Sequence, residues 1–260
     1  MSFAQCNIFR LREGECQFSE LTREQYQEFE NAYKDIVRMN SEIDNFFLLK
    51  KGFSILKSLP IEEIGKREDK FYVFEFVYTA WLNCFYMWIN YHEKKYHVIF
   101  NNLKNNYYDQ YLEYRLSYYL RQSLTHVSSG VFTFVFDVLK ERTSIAINIK
   151  TLRNEDINAT KKQLAILDEA ESVYGRKVDA ICLAENLYKA LERFQEDIWK
   201  NNFIIIQSAL DILRLYMPLS GNDCYNTYIT FEDGRDEMNV GPVISSFLGK
   251  QKAVCHNKRL

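Results

Sequence analysis

FYVFEFVYTAWLNCFYMWINY, residues 71–91, is the stretch on which the fold turns. It holds neither glycine nor proline, and it is long and apolar enough to be either a membrane span or a helix buried in protein. Glu75, Asn83 and Asn90 interrupt it, and each is costly against lipid unless paired. The reading that satisfies them is a helix inside a bundle, with tyrosine hydroxyls and asparagine amides finding partners within the protein. No membrane association is therefore expected.

The flanking sequence extends the helical reading. No proline stands between Pro60 and Pro218, and the interval contains only Gly65, Gly130 and Gly175. Upstream, Thr22 and Gln25 have the spacing of a capping box, which predicts a helix through residues 25–39. A second helix is expected after Ser41, ending near Leu59 because the residue before proline is pushed out of the helical region. Downstream, a long helix is expected over residues 105–139, bent around Ser128, Ser129 and Gly130, with further helices over 158–174 and 177–217. SIAINIK, residues 144–150, alternates apolar and polar side chains over too short a run for a helix and reads as a strand. TYITF, residues 227–231, reads as a second strand before a Glu-Asp-Gly turn at Glu232, Asp233 and Gly234, and the two strands are candidates to pair. The expected class is mainly α: a helical bundle over residues 1–217 with its core at about 69–217, a small two-stranded β element, and a short C-terminal appendage over 218–260.

Composition narrows the function classes. With 47% hydrophobic and 26% charged residues the chain should fold rather than stay disordered. Its 19 Phe, 18 Tyr and 3 Trp against 9 Gly and 3 Pro favour long elements and an aromatic core. A formal charge of -2 gives no global attraction to nucleic acid, so any RNA site must be a local patch. Six cysteines without a Cys-x2-Cys pair, after an N-terminus lacking an apolar leader core, point to reduced thiols and a cytoplasmic protein.

The stretch that carries chemistry is EYRLSYYLRQSLTHV, residues 113–127. Projected at about 100° per residue, Leu116, Leu120, Leu124, Val127, Val131 and Phe134 form one apolar stripe that must face the core. His126 falls nearly opposite, beside Arg115, Gln122, Ser129 and Thr133, while Arg121 lies at the margin of the stripe. Cleavage of an RNA phosphodiester without a metal needs groups of this kind. A histidine titrating near neutrality can move a proton at the 2′-hydroxyl or the leaving 5′-oxygen, and an arginine can fork two donors onto the phosphate. Arg121 and His126 stand about 140° apart around the axis and roughly 7.5 Å along it. They converge on one phosphate through the reach of Arg121 or across two chains, and a twofold axis pairing two copies of the helix makes a homodimer the natural assembly.

This segment resembles the Arg-x4-6-His signature of the HEPN superfamily, in particular the abortive-infection and toxin-like branch in which it reads Leu-Arg-Asn followed by His. The resemblance implies a dimeric helical bundle and a metal-independent endoribonuclease leaving a 2′,3′-cyclic phosphate. It implies an RNA substrate, and an antitoxin or regulatory partner. Carried over, Arg121 and His126 match the ends of the motif and are the catalytic candidates; Gln122 stands where Asn is usual, and Arg115 and Ser129 join it as candidates to bind or orient substrate. Position 128, where some such toxins are silenced on a tyrosine, is Ser128. Arg115 reads equally as a salt bridge to structure or as an accessory phosphate contact. The rival from another class is a non-catalytic helical dimerisation or regulatory protein whose polar helix face is only a partner surface.

The remaining candidates read as structure. His92 and His97 are five apart, where zinc favours i and i+4 with a third ligand, and are expected as a solvated helix-end pair. Neither a metal nor a cofactor is expected. Tyr118 and Tyr119 could stack bases, though packing is the default in so tyrosine-rich a chain.

Overall fold

The computed structural model describes residues 6–12, 15–64, 68–95, 97–124, 130–137, 142–155, 159–217, 227–231 and 238–255. The protein is mainly helical, as the sequence predicts, and no described helix is long and apolar enough to cross a membrane. It divides into two compact units, one of residues 45–198 and one joining residues 1–44 with 199–260.

The unit of residues 45–198 is built around the stretch that opened the sequence reading. That stretch lies in α3 (Glu68–Lys95). Around it stand the second part of α1 (Arg23–Lys57), α4 (His97–Gln110), α5 (Leu112–Leu124), α7 (Lys161–Tyr174) and the first part of α8 (Ala180–Tyr216). Phe74, Tyr78, Trp81, Phe85 and Trp88 of α3 are fully buried, with Leu116, Tyr119 and Leu120 of α5 and Phe194 of α8 in the same cluster. Burial of each large side chain contributes roughly 1.5–3 kcal/mol. The indole N–H groups do not go unpaired: Trp81 donates to the Leu49 carbonyl at 3.2 Å and Trp88 to Gln195 Oε1 at 2.9 Å. Gly52 of α1 lets the Trp81 ring approach, since a Cβ there would sit 3.2 Å from Trp81 Cδ1.

One expected helix proves to be three elements. The run expected over 105–139 consists, in its described residues, of α4, α5 and then β3 (Phe132–Asp137). β3 pairs antiparallel with β4 (Arg142–Asn148), and β4 with β5 (Lys177–Asp179), giving the order β3-β4-β5. The physical reason lies in FTFVFD: aromatics at every second position and a β-branched residue between them suit a pleated surface, and Gly130 at φ 135 breaks the chain before it. Val131 and Phe134, three apart, fitted a helical stripe by coincidence of period. Phe132 meets Phe74 and Tyr78 edge-on at 5.5 and 5.1 Å, which seats this sheet on α3. Two short helices, α2 (Ile61–Ile64) and α6 (Ile149–Glu155), complete the unit.

In the second unit, β1 (Cys6–Arg12), β2 (Glu15–Leu21), β6 (Thr227–Phe231) and β7 (Met238–Asn239) form a sheet in the order β2-β1-β6-β7. The C-terminal segment, expected as an appendage with one short strand and a tail, is thus tied to the N-terminal hairpin by pairing of β6 with β1, and it ends in a helix, α9 (Gly241–Cys255). The two strands expected from sequence both exist but do not pair with each other: β4 and β6 belong to different sheets. Instead of one two-stranded element, the described residues form two sheets, of three and four strands. Residues 25–57, expected as two helices, form part of the single helix α1, opened by the Thr22–Gln25 capping box. Phe29, Ile36, Leu210, Leu213 and Phe247 are among this unit's buried residues.

Candidate functional site

α5 buries Leu112, Tyr114, Leu116, Tyr119 and Leu120 on one side, which leaves Arg115, Tyr118, Arg121 and Gln122 on a sector between its neighbours α3 and α7. The sequence projection of the apolar stripe holds through Leu120, and Arg121 stands at its margin, half-buried, as predicted.

What fixes Arg121 comes from α3. Its Nε donates to Asn83 Oδ1 at 3.1 Å, and its guanidinium carbon lies 3.8 Å from the centre of the Tyr86 ring. Asn83 and Tyr86 are one helical turn apart on the same face of α3. Asn83, flagged in the sequence as needing a partner, finds it here. A guanidinium stacked on a ring and bonded at Nε is fixed in place, and its position in the last turn of α5 suits a cation against the helix dipole. Tyr118, one turn earlier, packs its ring 5.9 Å from that of Tyr86. Burial pushes the Tyr118 phenol above its ordinary range, with Arg121 pulling the other way, so it stays a neutral donor at physiological pH.

Arg121 differs from its neighbours in its partners. Arg115 forks onto Glu169 of α7, Nη1 to Oε2 at 2.8 Å and Nη2 to Oε1 at 2.7 Å, which assigns its guanidinium to an interhelical ion pair. Arg153 is likewise paired with Asp168 at 2.6 Å and Glu171 at 3.2 Å. Arg121 has only the neutral Asn83 and Tyr86, and no carboxylate among the described residues.

Gln122 accepts from Gln163 Nε2 of α7 at 3.3 Å. The same Gln163 closes the capping box of α7, its Oε1 accepting from the Thr160 backbone at 2.7 Å, so a helix start and an α5–α7 tie share one side chain. His126 and Ser129 lie outside the described residues. Among the described residues the structure brings Arg121 together with Asn83, Tyr86 and Tyr118, and ties Gln122 to Gln163 and Arg115 to Glu169.

His92 is a correction. Expected in a solvated helix-end pair, it lies in the last turn of α3 but is fully buried, its ring packed between Trp88 and Phe100. Its Nδ1 lies 2.8 Å from the Trp88 carbonyl, which can only accept, so Nδ1 carries the proton. Its ring stacks on Phe100 at 5.4 Å. Among the described residues no three His, Cys, Asp or Glu side chains gather as a metal would require. The chain also carries a Leu-Arg-Asn run at Leu152 to Asn154, and it is structural: Leu152 is buried and Arg153 holds α6 to α7.

Sequence reasoning missed Tyr86, Gln163 and Glu169. Two left a signal: a tyrosine three residues after Asn83, with Asn90 four further on, draws a polar line along an otherwise apolar helix, and Gln163 stands three residues after Thr160 at capping-box spacing. Against known proteins the chain matches no family model, no curated protein and no solved structure.

Proposed function

We propose that the chain is a metal-independent endoribonuclease of HEPN type, a toxin or phage-defence effector, cutting single-stranded or looped RNA as a homodimer. The observation that carries this reading is Arg121: a half-buried guanidinium, fixed at Nε by Asn83 and on its face by Tyr86, with no carboxylate partner among the described residues. Burying a cation without an anion is costly, and a phosphate oxygen pair is the ligand its open fork fits. In the reaction the 2′-oxygen attacks phosphorus, the bond to the 5′-oxygen breaks, and a 2′,3′-cyclic phosphate remains. His126, five residues on, takes the 2′-hydroxyl proton or supplies one to the leaving oxygen, while Arg121 holds the non-bridging oxygens as charge builds. Gln122 ties the C-terminal end of α5 to α7 through Gln163, and Arg115 ties its N-terminal end to α7 through Glu169, which together orient the helix that carries Arg121.

The test is cleavage of a single-stranded RNA in excess chelator. Wild-type protein cuts, and His126→Ala and Arg121→Ala each lose about a hundredfold or more. Cleavage that survives either substitution removes the site.

One observation favours the non-catalytic reading. In the unit containing residues 199–260, α8 exposes Phe203, Ile204 and Leu215 along a shallow groove of about 510 Å³ that also includes Ile212. An apolar helix face of this kind is a self-association surface. Absence of cleavage, together with a dimer that Ile204→Glu splits, would favour that reading.

A further inference from the structure

The chemistry beside Arg121 does not stop at one phosphate. On the α7 side of α5 lies a cleft of about 170 Å³, walled by Tyr108 and Asp109 of α4, Arg115 of α5, and Lys162 and Glu169 of α7. Lys162 Nζ sits 4.5 Å above the centre of the Tyr108 ring, so a flat aromatic face and a cation share one mouth. Tyr108 adds slightly to burial in raising the Tyr118 phenol, and Tyr118 in turn packs its ring on Tyr86, the ring that lies against Arg121. The order across α5 is thus cation and ring, ring, then ring and cation. Arg115 and Arg121, which mark its two ends, are six residues apart, about 9 Å along the helix. At about 3.4 Å per stacked base, that span holds two or three bases.

We infer that this strip is a track for single-stranded RNA, with one base stacked on Tyr108 in the cleft, its phosphate on Lys162, and the next phosphates leading past Tyr118 to Arg121. The polarity of the walls decides which part of the nucleotide enters. Asp109 is exposed at the cleft and repels a phosphate, while Glu169 is neutralised by Arg115, so the cleft takes the uncharged base and the rim takes the charge. Lys162, exposed on α7, gives up a contact to a neutral ring for one to an anion, which is the stronger interaction. The tyrosines supply the stacking that makes such binding tolerant of sequence.

RNA as the ligand rests on the ribonuclease reading, but the track can be tested without cleavage. The probe is a fluorescein-labelled 2′-O-methyl hexacytidylate, which lacks the 2′-hydroxyl nucleophile. Wild-type protein binds it, and Tyr108→Leu binds about tenfold more weakly, while Tyr108→Phe, which keeps the ring, stays within about twofold of wild type. Lys162→Gln, at an exposed position that folding does not need, lowers the slope of log K against log salt by about 0.7. An abasic hexamer binds about tenfold more weakly than the probe. The track is overturned if wild-type protein does not bind the probe, if Tyr108→Leu and Lys162→Gln bind as wild type does, or if the abasic or a double-stranded probe binds equally well. Tyr108-dependent binding without any cleavage keeps the track and removes the ribonuclease reading; His126-dependent cleavage with Tyr108-independent binding does the reverse.

Discussion

Asn83 decides whether Arg121 is a phosphate ligand or a strut. As an amide it holds the guanidinium at 3.1 Å without cancelling its charge. Replacing it by the isosteric acid keeps the contact and supplies the missing anion, so Asn83→Asp should leave the melting temperature unchanged or raise it. Cleavage should fall by about a hundredfold or more, because like charge beside an anionic transition state costs several kcal/mol. Asn83→Asp that cleaves as wild type would show that Arg121 never meets the phosphate. At His92 the prediction concerns stability alone. His92→Ala empties a site packed between Trp88 and Phe100 and should cost about 2–4 kcal/mol in denaturant unfolding; a change below about 0.5 kcal/mol would mean the ring is not part of the core. Both residues show how far a sequence carries at this scale. The need of Asn83 for a partner was legible from its apolar surroundings, but the identity of that partner, 38 residues away, was not. His92 was misjudged because Phe100, which covers its ring at the end of α3, comes from the next helix, and no local pattern announces that packing.

Helix starts were legible where a side chain writes them and strands were not where periods overlap. Thr22 and Gln25 announced α1 correctly, and Thr160 and Gln163 spell the same box at the start of α7, within the helix expected over 158–174. Thr160→Ala removes the hydroxyl that accepts from the Gln163 backbone and should cost about 1 kcal/mol by chemical denaturation. Gln163 also ties to Gln122, so the loss should appear in RNA cleavage as well as in stability; an unchanged cleavage rate would detach α7 from the site. β3 went unread because apolar residues at 131 and 134 satisfy a helical stripe as well as they sit in or beside a strand. The alternation Phe132, Phe134, Phe136 was visible but was outweighed by the helix leading into it.

At the scale of the whole chain, the mainly helical class was legible from the scarcity of breakers, whereas the sheets were not. Pairing of β1 with β6 joins residues more than 200 positions apart, and no local pattern encodes that register. Composition also reaches the pH behaviour. Burial raises the phenols of Tyr78, Tyr107, Tyr114, Tyr174 and Tyr188, with hydrogen bonds to Asp197 and Glu113 adding to the effect at Tyr107 and Tyr174. In the unfolded chain these groups ionise near about pH 10. Their neutral forms therefore support the fold fully below that pH, and the support is lost as pH climbs through the raised folded values. Titrated upward, tyrosinate absorbance and helical circular dichroism should change together above about pH 10. Full tyrosine ionisation with the helical signal intact would contradict the burial described here.

The most direct measurement is the mass of the fragment ends released from one defined RNA in excess chelator by the wild type, Arg121→Ala and His126→Ala. The account predicts 2′,3′-cyclic phosphate ends from the wild type and intact RNA from both variants. Ends bearing a free 3′-hydroxyl, or cyclic phosphate still formed by either variant, would contradict it.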